Sequence, residues 1–156
     1  MIEVRYENAG ISEGRSEIST FTRALAARTL DNLGWKSAAV TVLFCSTEKI
    51  RQLNRDYRHL DEPTDVLSFP AHDDVSSVSR EPGVYLGDLA ICLPYMIDHA
   101  KSQGREPGDE LALLVVHGIL HLLGWNHDNK LNEKRMWKEQ DRLLELVKDL
   151  QVPKVG

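Results

Sequence analysis

The stretch from Gly108 to Leu123, GDELALLVVHGILHLL, constrains the fold more than any other part of this chain. Gly108, Asp109 and Glu110 suit a helix start, with acids at the positive end of the dipole, and LALLVVHGILHLL continues the helix for a length of roughly 22 Å. It is apolar on nearly every side, so in a soluble protein it must lie in the middle of the fold with other elements packed around it. A length of 156 residues suits one core. With 42% hydrophobic and 28% charged residues, the composition disfavours disorder, collagen-like repeats and a disulfide scaffold. No apolar run approaches the ~20 residues of a membrane span. The opening MIEVRYENAG lacks the basic end and apolar stretch of a secretory signal, so a cytoplasmic protein without a membrane partner is expected. Cys45 and Cys92 sit inside apolar segments (TVLFC and LAIC) and read as small buried hydrophobes.

The remaining segments supply what packs around that helix. IEVRY (Ile2 to Tyr6) alternates as a half-buried strand does, and Ile18, Phe21, Leu25 and Leu30 keep helical spacing from about Ser16 to Leu33, with Gly34 following. AAVTVLFC (Ala38 to Cys45) reads as a buried strand, after which Ser46 or Thr47 can cap a helix running to about Arg58. HLDEPT breaks the pattern, VLSF (Val66 to Phe69) is a short strand closed by Pro70, and Ala71 to Gly83 is polar and unperiodic, hence a loop. YLGDLAIC (Tyr85 to Cys92) is a further strand. A short helix follows Pro94 and ends at Gly104, and a charged amphipathic helix from Asn132 to Leu150 carries Met136, Leu143, Leu144 and Val147 on its apolar face.

The chemistry lies in the central helix. His117 and His121 are four residues apart, so both project from one face, one turn from each other. Gly124 can take the left-handed conformation that ends a helix and turns the chain back, returning His127 to the same point. The pattern H-x-x-x-H-x-x-G-x-x-H therefore predicts a metal site, with zinc first because neutral imidazoles are typical zinc ligands, and with nickel and copper also fitting. Three protein ligands leave a fourth position for water, which is the pattern of catalytic sites. By contrast, a single His on a helix is more often a hydrogen-bonded core residue, the reading given to His99, while His59 and His72 in loops are expected to face solvent. The spacing also resembles that of the metzincin peptidases, but the residue after their first His is a catalytic Glu and here it is Gly118, which argues against peptide hydrolysis. A Lewis-acid metal can still activate water without a carboxylate base.

LNRDYRHLDEPTDVLSFP (Leu53 to Pro70), YLGDLAIC (Tyr85 to Cys92) and HGILHLLGWNH (His117 to His127), in this order along the chain, closely resemble the YbeY family of bacterial endoribonucleases and rRNA maturation factors. The resemblance implies one zinc ion per chain on His117, His121 and His127, and a role in activity for Arg58. It further implies RNA as the partner: a ribosomal RNA precursor, notably the 3′ end of the small-subunit RNA, with a part in ribosome assembly and quality control and contacts to a ribosomal protein or an assembly GTPase. One departure stands out, since the family's Asp before the third His is Asn126 here, which cannot act as a base. Asp128, just beyond the third His, is the alternative carboxylate.

Arg55 and Ser68 are the expected substrate contacts. Arg51 and Arg55, four apart, form with Arg58 either a basic strip leading to the metal or an ordinary solvated face. The net charge of −5 leaves room for such a local basic site while arguing against a surface that attracts nucleic acid everywhere. Elements and resemblance together predict a single α+β domain over residues 1–156. Its mixed sheet has about four strands, with a central metal-bearing helix and other helices around it; the topology rests on the resemblance. Besides a zinc-dependent endoribonuclease, two readings remain open: an RNA-binding assembly factor whose zinc is mainly structural, and a metallohydrolase of another substrate.

Overall fold

Alternation and β-branching produce a sheet, and the apolar helix lies against it. A computed structural model describes all residues, 1–156. In chain order the elements are β1 (Ile2–Glu7), α1 (Arg15–Asn32), β2 (Ala39–Cys45), α2 (Thr47–Arg58), β3 (Val66–Pro70), β4 (Tyr85–Cys92), α3 (Leu93–Ser102), α4 (Pro107–Leu122) and α5 (Lys130–Leu146). The four strands form one mixed sheet in the order β1-β2-β4-β3. β1 and β2 are parallel, β2 and β4 are parallel, and β3 is antiparallel to β4. The central strands β2 and β4 carry the apolar runs, as expected for strands covered on both faces. The edge strand β3 is short and closes on Pro70, where a missing N–H costs no ladder bond.

The two faces of the sheet are covered unequally. Val40, Val42 and Phe44 of β2 and Leu86, Leu89 and Ile91 of β4 join the main core with residues of α1, α3, α4 and α5. On the other side a small cluster of Cys45, Ile50, Leu67, Ala90 and Cys92 lies under α2. Cys45 and Cys92 are opposite one another across β2 and β4, both buried and both free thiols. Burial, and then the neighbouring Cys92, pushes the Cys45 thiol up to about 12, so it is not nucleophilic at neutral pH.

α4 is the buried helix that its sequence predicts. Residues on every side of it, among them Leu111, Val115, Val116, Ile119 and Leu120, are fully buried. It begins one residue earlier than expected, with Pro107 in the first turn. It lies tight against the sheet at Gly118, where a Cβ would lie 2.7 Å from Leu89 Cδ2. Side-chain caps mark the starts of α2 and α5: the Ser46 hydroxyl accepts from the Lys49 amide at 3.0 Å, and Asn129 Oδ1 accepts from the Asn132 amide at 2.9 Å. α5 ends at Leu146, short of the expected Leu150, and the chain turns so that its C-terminal segment packs against Gly108 in the first turn of α4. The loop between β3 and β4 holds one 3-10 turn, Val75–Ser77, and is fastened by Arg80, whose guanidinium lies 4.5 Å over the Trp35 ring.

Candidate metal centre

The last two turns of α4 carry His117 and His121, and the helix stops because Gly124, at φ 89°, takes the left-handed conformation. The amides of Gly124 and Trp125 bond back to the carbonyls of His121 and Leu120, at 3.0 Å each. This closure reverses the chain and delivers His127. One nitrogen from each of the three rings lies within 4.8 Å of the others, so the three histidines are positioned to bind a metal ion. His117 Nε2 and His121 Nε2 are 3.1 Å apart. Bonds of ~2.0–2.1 Å in a tetrahedral zinc site place nitrogens ~3.3 Å from each other, so this pair already has ligand spacing.

The electrostatics keep the rings as lone-pair donors. Burial lowers the His117 pKa against the opposing effect of its hydrogen bond to the Gln140 side-chain carbonyl. At His121 burial is again the largest cause, followed by the neighbouring His117 and His127, and its pKa falls from the ordinary 6.5 to about 4. Both imidazoles are therefore neutral at neutral pH, as metal ligation requires. His127 is exposed while the other two are half-buried, so the site opens to solvent on the side of the return turn.

Arg58, the last residue of α2, is exposed, and its charge bears on His121 across the gap between the helices. No carboxylate pairs with it, whereas Arg51 is engaged by Asp61 through two bonds of 2.8 and 3.2 Å and Arg55 by the adjacent Asp56 at 3.3 Å. Arg51 is thus taken up by a local ion pair, in line with the solvated-face reading. Ser68 on β3 is half-buried, and its hydroxyl donates to the Gly118 carbonyl at 3.3 Å, next to His117. Asn126 is a structural clasp: its Oδ1 accepts from Asn132 Nδ2 at 3.0 Å and from the Asp128 amide at 3.3 Å, holding the return turn to α5. Asp128 itself is exposed.

Gly118 occupies the position of the metzincin Glu, and here that position faces Leu89 of β4 with no room for a side chain. The remaining histidines divide. His59 is exposed, in the left-handed conformation at the end of α2 (φ 61°), as its loop setting predicts. His72 departs from expectation, being half-buried with Nε2 2.9 Å from the Tyr85 carbonyl. The core reading of His99 is corrected: α3 buries Leu93, Met96 and Ala100, and His99 lies off that stripe, exposed and stacked on Tyr95 with ring centres 6.4 Å apart.

Three residues near the triad escaped the sequence reading. Gln140 of α5 is buried with Oε1 2.9 Å from His117 Nδ1, and Trp137, one turn earlier, lies against His117 and His127 with ring centres 5.5 and 5.8 Å away. Asp65 precedes β3; its Oδ1 accepts from the Val66 amide at 2.7 Å, and its negative charge favours the protonated form of His117. Asp65 lies within the PTDVLSFP stretch, but nothing in its spacing points to the triad. No helix is long and apolar enough to cross a membrane.

A mixed sheet backing a buried helix that presents three imidazoles to one point defines an α+β protein with three histidines positioned to bind a metal ion at a site open to solvent. The family model described as Endoribonuclease YbeY matches residues 2–148, and the chain belongs to this family. Among its relatives, the Endoribonuclease YbeY of Synechococcus sp. (strain JA-2-3B'a(2-13)) is 45% identical over 111 residues, 69% of this chain and 68% of that protein. That of Bacillus mycoides (strain KBAB4) is 37% identical over 139 residues, 85% of this chain and 88% of that protein. A solution structure of a Thermotoga maritima protein superposes with a TM-score of 0.63 at 28% identity, over 94% of this chain and 89% of that one.

Proposed function

We propose that this chain is a zinc-dependent endoribonuclease that cleaves single-stranded RNA in ribosomal RNA maturation, with the 3′ end of the small-subunit RNA as its principal target. The observation that carries the reading is the convergence of three imidazole nitrogens within 4.8 Å, beside an unpaired arginine, in a member of the Endoribonuclease YbeY family. In this reading His117, His121 and His127 hold one zinc ion per chain. Such an ion supplies a Lewis acid that polarises a phosphoryl oxygen and makes water more acidic.

The chain's own residues do the rest. Arg58, free of any carboxylate, holds the scissile phosphate with two parallel hydrogen bonds and meets the charge that builds there in the transition state. Arg55 and Ser68 are the further substrate contacts. Exchanging Asp56 for a phosphate frees the Arg55 guanidinium, and Ser68 reaches the strand beside His117 by releasing the Gly118 carbonyl. The exposed rim at His127 is the entry side. The cytoplasm and the assembling small subunit are the setting, with a ribosomal protein or an assembly GTPase as further contacts.

The test is a substrate panel. Purified protein should cut single-stranded RNA and precursor rRNA while leaving duplex RNA, single-stranded DNA and casein intact. Cleavage of casein with RNA untouched contradicts the reading. Binding of precursor rRNA without cleavage, together with unfolding on metal removal, supports a structural zinc instead.

A further inference from the structure

We propose that Gln140 is a positioning residue of the metal centre: its side-chain carbonyl accepts the Nδ1 proton of His117 and so reserves the Nε2 lone pair of that ring for the ion. This rests on the reading of the triad as a metal site. A neutral imidazole carries one proton, and a ring protonated on Nε2 offers the site a donor where it needs a lone pair. Gln140 Oε1 stands 2.9 Å from His117 Nδ1, and an amide oxygen can only accept, which places the proton on Nδ1. The same ring's Nε2 then faces His121 Nε2 at 3.1 Å, the side on which the ligand atoms converge.

The location of Gln140 argues that the bond has a purpose. It is 8% exposed and shares the buried face of α5 with Met136 and Leu143, a place where an apolar side chain would pack at no polar cost. A buried amide there is costly unless it is bonded. Trp137, one turn before it on α5, packs on the same ring with ring centres 5.5 Å apart, so α5 bears on both the tautomer and the orientation of the first ligand. The central helix carries the imidazole, and the last helix decides which nitrogen it offers.

The experiment has two parts. In metal-free protein, long-range 1H–15N correlation spectra should show His117 protonated on Nδ1; an Nε2-protonated His117 overturns the proposal. Zinc affinity is then measured by competition with a chromophoric chelator near neutral pH. Gln140→Leu, which keeps volume but removes the acceptor, should bind about 10- to 100-fold more weakly. Gln140→Glu, which keeps an acceptor, should stay within a few-fold of the parent, and the Co2+ absorption spectrum should change in Gln140→Leu alone.

Parent-like affinity in Gln140→Leu, or equal losses in the two variants, shows that Gln140 merely packs. If Gln140→Leu does not fold, the tautomer and the Gln140→Glu affinity still decide. A parent protein that binds no zinc overturns the metal reading as well, and so separates the two failures.

Discussion

Arg58 and His121 show how single side chains in this site divide their work. Arg58 makes no ion pair, so its loss should spare folding and metal content while lowering RNA cleavage by about 10² to 10³, the scale of one lost transition-state contact. Arg58→Lys should recover little of it, because an ammonium cannot make the planar two-point contact. Single-turnover cleavage with metal analysis of each variant measures this, and an Arg58→Ala protein that unfolds makes the residue structural. His121 has the opposite behaviour, being tied to pH. Its pKa is depressed in the fold, so below the ordinary 6.5 the unfolded chain takes up a proton that the folded chain refuses until about 4. The metal-free protein should therefore lose stability as pH falls through that window, and His121→Gln should flatten the slope. Urea unfolding at several pH values with chelator present reads it directly, and equal slopes in both proteins contradict the pKa assignment. The return turn supplies one more test. Asn126 is a clasp and Asp128 is exposed, so Asp128→Asn should retain both zinc and most of the cleavage rate. A large loss with full zinc makes Asp128 the base.

At the scale of elements, α4 and α5 differ in how legible they were. The all-round apolarity of α4 predicts its central position, and the spacing of His117, His121, Gly124 and His127 predicts the convergence, because helix pitch and a left-handed stop are local properties of the chain. For α5 the amphipathic stripe of Met136, Leu143 and Val147 is visible, and Gln140 on that same stripe is a polar residue at a core position, the one sequence signal of its contact with His117. The exposure of His99 is not legible in the sequence, because one His on a short helix says nothing about its facing until the stripe of Leu93, Met96 and Ala100 is known. Gly118 has a meaning beyond chemistry. Sequence reading takes it as the absence of a base, while the fold shows why no side chain fits: α4 lies on Leu89, which is itself fully buried. Gly118→Ala should gain about 1 kcal/mol of helix propensity and lose about 1–3 kcal/mol to overpacking, a net destabilisation. Gly118→Glu should push α4 off the sheet and lose metal without gaining peptidase activity. A melting curve, a metal assay and a casein digest check both variants; a stable Gly118→Glu protein that cuts casein contradicts this packing account.

For the whole molecule, the order β1-β2-β4-β3 could not be read from local pattern, since strand neighbours are set by long-range packing. That order puts β3 at the edge beside the central helix, so the end of α2 on one face and the end of α4 on the other both lie near the β3 edge of the sheet. The local geometry of α4 and its return turn gathers the three histidines, and topology brings Arg58 and Ser68 from distant sequence towards them. The account as a whole depends on these residues forming one metal-dependent cleavage site. The most direct measurement is a metal titration of chelator-stripped protein, following cleavage of a single-stranded RNA and bound zinc in the same samples. Activity should be absent without metal, should rise in step with bound zinc and should saturate at one ion per chain, while His121→Ala should neither hold zinc nor cleave. Full RNA cleavage by the stripped protein, or by a His121→Ala protein that holds no metal, would contradict it.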